Sequence, residues 1–184
     1  VVGVERGRLR AGLAYVDVAG GLETTGDGEP AEVLQIRAAI LAGLGERAAA
    51  VRTASAALAR IREEGAAPVD PLPRGRARVV LGAILIDARA YRRAGEVLEG
   101  ALEDLEAALG PRHPSLARPL TLLSRARFGR GDMAAAERLV RRALELATEV
   151  CGEDHPERAK VLLRLGPVLS RTGRLRASVR RYLE

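Results

Sequence analysis

Residues 110–117 read GPRHPSLA, and residues 152–159 read GEDHPERA. Both histidines of the chain occur in these two stretches, and each precedes a proline. The two stretches are related by a shift of 42, and self-similarity at a fixed spacing is the sequence signature of a repeat protein. The sequence therefore predicts an array of similar units. The same shift aligns Leu120 with Leu162, Leu123 with Leu165, Gly131 with Gly173, and Ala135 with Ala177.

The array extends toward the start of the chain. A shift of 42 relates Ala94 to Ala136, and one further step needs a shift of 44, which relates Ala50 to Ala94. Residues 7–11 read GRLRA, as do residues 173–177. We therefore expect the first helix to be the second half of a repeat whose first half is missing. The predicted units of this single solenoid are 1–25 (one helix), 31–65, 74–110, 114–152 and 156–184 (truncated), with turn-forming joints at 26–30 and 66–73.

Each unit is predicted to contain two helices. Pro114 suits the first turn of a helix that runs to about Phe128, because its fixed φ fits there and its missing N–H is not needed. Gly129 and Gly131 are predicted to break this helix, and Asp132 to cap the next one. Apolar residues then recur at three- and four-residue spacing, which indicates an amphipathic helix covered by its neighbours. They are Met133, Ala136, Val140, Ala143, Leu144 and Ala147.

Small residues recur where the two helices of a unit are expected to cross closely. Gly82, Ser124 and Gly166 stand at equivalent places on predicted first helices. A larger side chain there would push the backbones apart and cost roughly 1–3 kcal/mol. We predict that these residues face small residues on second helices. The facing residues would be Ala50, Ala94, Ala136 and Ser178.

The composition agrees with an all-helical, soluble chain. Good helix formers such as Ala, Leu, Arg and Glu are abundant, and only 2% of residues are aromatic. The longest apolar run, residues 79–86, has eight residues, whereas a membrane-spanning helix needs about 20. No signal-peptide pattern opens the sequence. A single cysteine cannot form an internal disulfide. We therefore expect a cytoplasmic protein without a membrane segment.

Charge is distributed unevenly along the chain. Residues 1–73 carry 8 basic and 10 acidic side chains, whereas residues 74–184 carry 22 basic and 14 acidic ones. An excess of positive charge favours anionic partners. Almost all the cations are arginines, with Lys160 the one lysine, so the alternative is a compositional bias with no function.

The repeated unit resembles the tetratricopeptide repeat. The resemblance is carried by Leu-Gly-x-x-His-Pro, then Ala-x-x-Leu-x-x-Leu, a glycine within the unit, and Ala-Glu-Arg-Leu-x-x-x-Ala-Leu. More specifically the unit is similar to the 42-residue, kinesin-light-chain-like variant of bacterial proteins. The resemblance is most specific over residues 110–184, good over 74–109 and weaker over 1–63. It implies a right-handed superhelical solenoid of antiparallel helix hairpins, whose first helices line a concave groove that binds a peptide or protein segment.

The resemblance also implies which residues line that groove. Family members that bind through first-helix asparagines have no counterpart here, because the matching positions hold no asparagine. Five of the matching positions are basic, which favours an acidic partner, since guanidinium groups pair well with carboxylates. Scattered, solvated cations remain the alternative interpretation. The predicted groove residues are Arg76, Val79, Ala83, Ile86, Arg118, Thr121, Arg125, Phe128, Lys160, Leu163 and Arg171.

Three groupings of reactive residues have simpler structural interpretations. Cys151 and His155 are four apart, but the repeat shift aligns the cysteine with Leu109, so Cys151 is interpreted as a small apolar residue. The two histidines recur one repeat apart without a surrounding ligand set. Residues 130–132 read RGD, which we interpret as an inter-helix turn. With no phosphate loop or catalytic grouping present, we predict a protein that is not an enzyme and needs no cofactor or metal.

Three hypotheses about function follow. The first is a protein-interaction scaffold whose groove binds a partner polypeptide, preferentially an acidic one. The second is a regulatory or sensor segment of a larger bacterial protein such as a kinase, protease or transcription regulator. The third is non-specific binding to nucleic acid, which the scarcity of aromatic stacking residues disfavours. Uncapped ends of a solenoid also predict self-association through residues 5–20 or 160–184.

Overall fold

The computed structural model describes residues 2–23, 29–64 and 70–151. The predicted unit at 156–184 lies outside these residues. Within them the chain forms helices and turns without a strand, so the all-α prediction is confirmed. A short 3-10 turn, Pro114–Leu116, precedes the sixth α-helix. The helices are α1 (Val2–Glu23), α2 (Ala31–Leu44), α3 (Arg47–Glu64), α4 (Pro71–Asp87), α5 (Tyr91–Leu109), α6 (Ala117–Gly129) and α7 (Met133–Cys151).

Helix α4 begins within the segment 66–73, which the sequence predicted to be a joint. Asp70 is its N-cap, and the Asp70 side chain accepts a hydrogen bond from the Leu72 N–H at 2.9 Å. Pro71 and Pro73 are tolerated in the first turn because N–H groups there have no partner within the helix. The joint prediction was therefore wrong for residues 71–73, where the two prolines belong to the helix.

The turn between α6 and α7 forms as predicted. Gly131 has φ +85°, a left-handed conformation that glycine adopts without strain. The Asp132 carboxylate accepts a hydrogen bond from the Ala135 N–H at 3.0 Å, which confirms the predicted cap. The RGD tripeptide is thus an inter-helix turn. On α7 the predicted apolar stripe is buried from Ala136 to Ala147, and Met133 is half-buried.

Gly129 has a different role from the predicted one, because it is the last residue of α6 and does not break the helix. A Cβ atom at this position would lie 2.6 Å from the ring atoms of Tyr91. The glycine therefore allows the aromatic ring of α5 to rest on the α6 backbone. Leu9 lies over Gly43 in the same way, 3.1 Å from a Cβ placed there. Residues 7–11 align with the start of a second helix, which makes Leu9 equivalent to Tyr91. Leu9 on Gly43 is therefore the same contact as Tyr91 on Gly129.

The small residues of each helix pair lie at buried crossings. A Cβ atom on Gly82 would lie 2.5 Å from the Leu98 side chain, so the glycine faces a leucine of α5 rather than the predicted alanine. The need for a small residue is confirmed, and its facing partner is corrected. The predicted Gly166 and Ser178 lie outside the described residues. The fully buried small residues of the crossings are Ala38, Ala50, Ala57, Ala94, Ala101, Ser124, Ala136 and Ala143.

Helices pack in chain order. From α1 to α7, each helix packs on the next one along the described chain. In addition, α2 packs on α4 and α4 on α6, whereas the backbones of α3, α5 and α7 do not approach one another closely. The first helices (α2, α4 and α6) therefore form a closely packed row, and the second helices form a more widely spaced row behind it. This is the arrangement of a curved solenoid whose first helices lie on the inside.

Candidate partner-binding surface

Helix α4 shows which side of the first-helix row is open. It contacts α2 and α6 within its row, and α3 and α5 of the row behind. Arg74 and Arg78 both bind Asp104 on α5, so these two positions mark the side that faces the second helices. Arg76 lies between them in sequence and is therefore rotated by about 200° from Arg74 at roughly 3.6 residues per turn. It points to the side opposite α5, and it is exposed.

We call this open side the inner face. On α4 its surface residues are Arg76 and Asp87, both exposed, with the half-buried Val80 and Ala83 between them. All four fall within about 60° of one another around the helix, at roughly 100° per residue. The predicted groove residues Arg76 and Ala83 therefore belong to the inner face.

Three other predicted groove residues are core residues. Val79, Ile86 and Thr121 are only 6%, 4% and 2% exposed. On α4 the positions of Val79 and Ile86 are rotated away from the centre of the inner face by about 70–90°, toward a neighbouring first helix. The Thr121 hydroxyl donates to the Ala117 carbonyl at 2.7 Å, which satisfies it within its own helix. The inner face includes Val80 and Asp87 in place of Val79 and Ile86.

On α6 the structure places Arg118 and Arg125 on the surface, and Phe128 is half-buried. Arg118 is equivalent to Arg76 in the repeat, and neither arginine has an acidic partner within the described residues. Arg125 lies 3.6 Å from the Asp87 carboxylate of α4, so a pair of opposite charges spans the two first helices. The remaining predicted residues, Lys160, Leu163 and Arg171, lie outside the described part of the chain.

Asp87 is the inner-face residue that the sequence prediction missed. It follows Arg76 by close to three full turns of helix α4, at about 3.6 residues per turn. That spacing could have identified it, because the two positions must share one face of a continuous helix. The Asp87 carboxylate offsets the charge of Arg125, so the stronger cationic positions are Arg76 and Arg118, which have no acidic partner among the described residues.

The charge and polarity of the inner-face residues change from α2 to α6. On α2 the position equivalent to Arg76 is Glu32, which is exposed. The side chain of Ile36, one turn later, is 53% exposed, and it is a large apolar group on the surface. The described inner face therefore runs from an acidic and apolar end on α2 to a basic region on α4 and α6.

A buried ionic cluster lies behind this surface. Asp104 is 4% exposed and accepts hydrogen bonds from Arg74 at 2.5 Å and from Arg78 at 2.7 Å. The side-chain hydrogen bond to Asp104 raises the pKa of Arg74 above its ordinary value, with the charge of the carboxylate adding to the effect. Gly100 leaves room for the Arg78 guanidinium, which lies 2.9 Å from a Cβ placed there, and Gly75 leaves room for Leu105 and the Cβ of Asp104. The cluster joins α4 to α5, with the Asp104 carboxylate buried and both arginine side chains partly exposed.

The repeats seen in the sequence and in the packing match a known family. The family model for the tetratricopeptide repeat matches residues 74–149 and 126–184, which together span more than half of the chain. The chain belongs to the tetratricopeptide repeat family. TPR repeats are generally protein–protein interaction modules, and members of the family are typically non-enzymatic scaffolds.

A solved structure has a similar helical-repeat fold. The crystal structure of BtubC (BKLC) from P. vanneervenii superposes with a TM-score of 0.68, covering 94% of this chain and 67% of that chain at 18% sequence identity. At this identity the similarity establishes the fold alone. A comparison with curated proteins gave no match.

The described part of the chain contains neither a candidate metal site nor a candidate membrane-spanning helix. Across 2–23, 29–64 and 70–151, no three His, Cys, Asp or Glu residues are grouped so that they could bind a metal ion. No helix in those ranges has the length and apolar character needed to cross a membrane. His113 has a structural role, since its Nδ1 accepts a hydrogen bond from the Ser115 N–H at 3.2 Å at the start of the 3-10 turn.

Proposed function

We propose that this chain is a non-enzymatic interaction module that binds an acidic segment of a partner polypeptide along the inner face of α4 and α6. The observation that carries the proposal is the recurrence of an exposed arginine without an acidic partner in the described chain, Arg76 and then Arg118, at equivalent places on adjacent first helices. Guanidinium groups bind carboxylates through two parallel hydrogen bonds. A partner carboxylate would therefore gain a bidentate contact at each repeat.

The spacing of the two arginines suggests the form of the bound segment. Packed helices lie roughly 8–10 Å apart, and an extended polyproline II segment advances about 3.1 Å per residue and has every third side chain on the same side. A segment that crosses the first helices in an extended conformation would therefore place every third residue at an equivalent position. We expect acidic side chains at positions i and i+3 of the partner to engage Arg118 and Arg76.

A defined peptide tests this proposal by fluorescence anisotropy. The probe is a labelled 16-residue Gly/Ser peptide with aspartate at every third position, compared with a peptide of the same composition whose aspartates are contiguous. We expect tighter binding of the regularly spaced peptide. The double variant Arg76→Glu and Arg118→Glu should weaken this binding at least tenfold, because repulsion replaces both contacts.

A control variant separates local contacts from net charge. Arg93→Glu with Arg130→Glu makes the same change in net charge at exposed positions outside the inner face, and we expect less than a threefold loss. Equal losses for the two double variants would reject the inner face as the binding site. A labelled oligo-dT strand serves as the competing probe. If it bound more tightly than either peptide, with a steep salt dependence, a protein partner would be rejected in favour of nucleic acid.

A further proposal concerns the type of repeat. We infer that they are of the 42-residue, kinesin-light-chain-like bacterial type, and the shift of 42 between the equivalent buried residues Ala94 and Ala136 supports this. Residence in the cytoplasm and use as a regulatory segment of a larger protein stay predictions.

Self-association also stays a prediction. On α1 the exposed Tyr15 offers an apolar surface for it, and the alternative segment at 160–184 lies outside the described residues.

A further inference from the structure

A second surface feature lies on the opposite side of the molecule from the inner face. Because the backbones of α5 and α7 do not approach each other closely, a furrow remains between these second helices, and α6 forms its floor. The furrow is open to solvent along one side and has a volume of about 390 Å³, which is within the range of roughly 300–1,000 Å³ for small-molecule sites. We call it the outer furrow, and the residues that matter here are Glu99, Leu123, Arg127, Arg138, Leu139 and Arg142.

Two of its three arginines are held in place by neighbouring glutamates. Arg127 of α6 forms an ion pair with Glu99 of α5. Arg142 of α7 donates to the Glu106 carboxylate at 2.7 Å and to the Pro111 carbonyl at 3.2 Å. These pairs fix the directions of the two guanidinium groups before any ligand arrives, which lowers the entropy cost of binding.

Arg138 is the third arginine, and it differs from the other two. It is exposed and has no acidic partner among the described residues. It lies one turn before Arg142 on the same face of α7, and like charges at this spacing repel each other. An anion bound between these two arginines would remove the repulsion and supply the missing partner.

The arginines of the outer furrow have no counterparts in the preceding hairpin. In the preceding hairpin the repeat shift places Leu85, Glu96 and Gly100 where Arg127, Arg138 and Arg142 stand here. A cluster of three arginines is therefore not a requirement of the repeat. This difference between otherwise similar hairpins argues for a role beyond packing.

We propose that the outer furrow binds one carboxylate group attached to an apolar body. Arg127 and Arg142 already have acidic partners, so Arg138 is the one furrow arginine without an acidic partner among the described residues. The Asp132 carboxylate also lines the furrow, where it accepts from the Ala135 N–H of α7, and its negative charge disfavours a phosphate dianion more than a monoanion. The half-buried Leu139 and the buried Leu123 provide an apolar wall and floor for the remainder of the ligand. A free organic acid and a polypeptide C-terminus both present this chemistry.

Ligand-observed and protein-observed NMR titrations test this inference. The probes are 4-phenylbutyrate with its neutral amide, and acetyl-Gly-Leu with its C-terminal amide. We expect each acid to shift the methyl signals of Leu123 and Leu139 and to bind at least fivefold more tightly than its amide. Tighter binding of the peptide acid would identify a chain terminus as the source, and tighter binding of phenylbutyrate a free acid. Each of these two outcomes supports the site.

Two variants complete the test. Arg138→Gln should weaken binding of both acids at least fivefold, because it removes the guanidinium that has no other partner in the described chain. Arg93→Gln makes the same charge change at an exposed position of α5 that does not line the furrow, and it should leave binding within twofold of the unchanged chain. Equal affinity for acid and amide, or equal losses in the two variants, would overturn the proposal. A binding loss should also occur without a change in the thermal midpoint, which distinguishes it from unfolding.

Discussion

The hairpins α4–α5 and α6–α7 have the same fold but are joined by different chemistry. In the first, Arg74, Arg78 and Asp104 form a buried ionic cluster. In the second, the three equivalent places are leucines that are at most 4% exposed. The repeat therefore determines which positions form the buried junction between the two helices of a hairpin. Either an ionic cluster or leucine side chains can occupy these positions. The leucines are Leu116, Leu120 and Leu146.

The two solutions carry different costs. A buried carboxylate loses its hydration and must recover that free energy from its partners. Arginines that remain partly exposed keep some hydration, as Arg74 and Arg78 do. Leucines need no partner but must fit closely. The ionic hairpin should therefore be sensitive to the loss of a single charge, whereas the leucine hairpin should be sensitive to volume.

The largest effect is expected at Asp104. Replacing Asp104 by alanine should lower the free energy of unfolding by about 3 kcal/mol, because two arginines lose a shared, buried partner. The estimate is at the lower end of the usual range since both arginine side chains are partly exposed and can be rehydrated. Urea unfolding followed by circular dichroism measures the change. Glu103→Ala, at the exposed neighbouring position, is the control and should change stability by less than about 0.5 kcal/mol.

A triple replacement sharpens the comparison of the junctions. Changing Arg74, Arg78 and Asp104 together to leucine transfers the chemistry of the second hairpin into the first. We expect a stability within about 1 kcal/mol of the unchanged chain, since well-packed apolar groups often replace buried ion pairs without loss. A triple variant as unstable as Asp104→Ala would show that the ionic cluster is required and that the two junctions are not interchangeable.

The next largest effect concerns the close crossing at Gly82. Gly82→Ser should cost about 2 kcal/mol, because the new side chain overlaps Leu98. The equivalent residues of the second hairpin are Ser124 and Val140, so adding Leu98→Val should recover at least half of the loss. Chemical denaturation of the two single variants and the double variant gives the coupling energy. Independent, additive losses would contradict the equivalence of the two crossings.

Much of this architecture is encoded in residues that recur. The crossings at Ala94 and Ala136, the cap at Asp132 and the turn at Gly131 follow from local rules and from the repeat period, so the sequence predicted them. The rotation of the inner face was not predicted, because it depends on which sides of α4 its four neighbours cover. Val79 and Val80 are alike in sequence, and only the packing distinguishes the more buried one.

The ionic cluster and the outer furrow were also missed, for a related reason. Asp104 and Arg127 have equivalents of a different type in the adjacent repeat, Leu146 and Leu85. A search for recurring residues passes over positions that do not recur. The roles of these positions depend on contacts between helices, such as the pairs of Arg74 with Asp104 and of Arg127 with Glu99.

A smaller difference between the hairpins lies at the start of their second helices. Asp132 caps α7, whereas Ala90 at the equivalent place gives α5 no side-chain cap. Asp132→Ala should cost about 1 kcal/mol. Ala90→Asp should gain a fraction of that amount, about 0.5 kcal/mol, if the new carboxylate reaches the first N–H groups of α5. Thermal unfolding with calorimetry measures both, and a stabilising Asp132→Ala would contradict the role of the cap.

The smallest expected effect concerns binding at the inner face. Asp87 offsets Arg125, whereas the equivalent of Asp87 in the second hairpin is the uncharged Gly129. Asp87→Asn should therefore raise the affinity for the aspartate-containing peptide two- to threefold, because it frees an arginine and removes a repulsive charge. Anisotropy titration measures this change. The matched control is Asp70→Asn, an exposed acid at the start of α4 whose replacement should have no such effect.

Distances between neighbouring helices within each of the two rows test the curved solenoid most directly. Nitroxide labels on cysteines replacing Arg76 and Arg118 report on first helices, and labels replacing the equivalent Glu96 and Arg138 report on second helices, with Cys151 changed to serine in both. Pulsed electron spin resonance should give a shorter distance for the first pair, because the backbones of first helices pack on one another and those of second helices do not. Equal distances, or a shorter one between the second helices, would contradict a solenoid whose first helices line the inside of the curve.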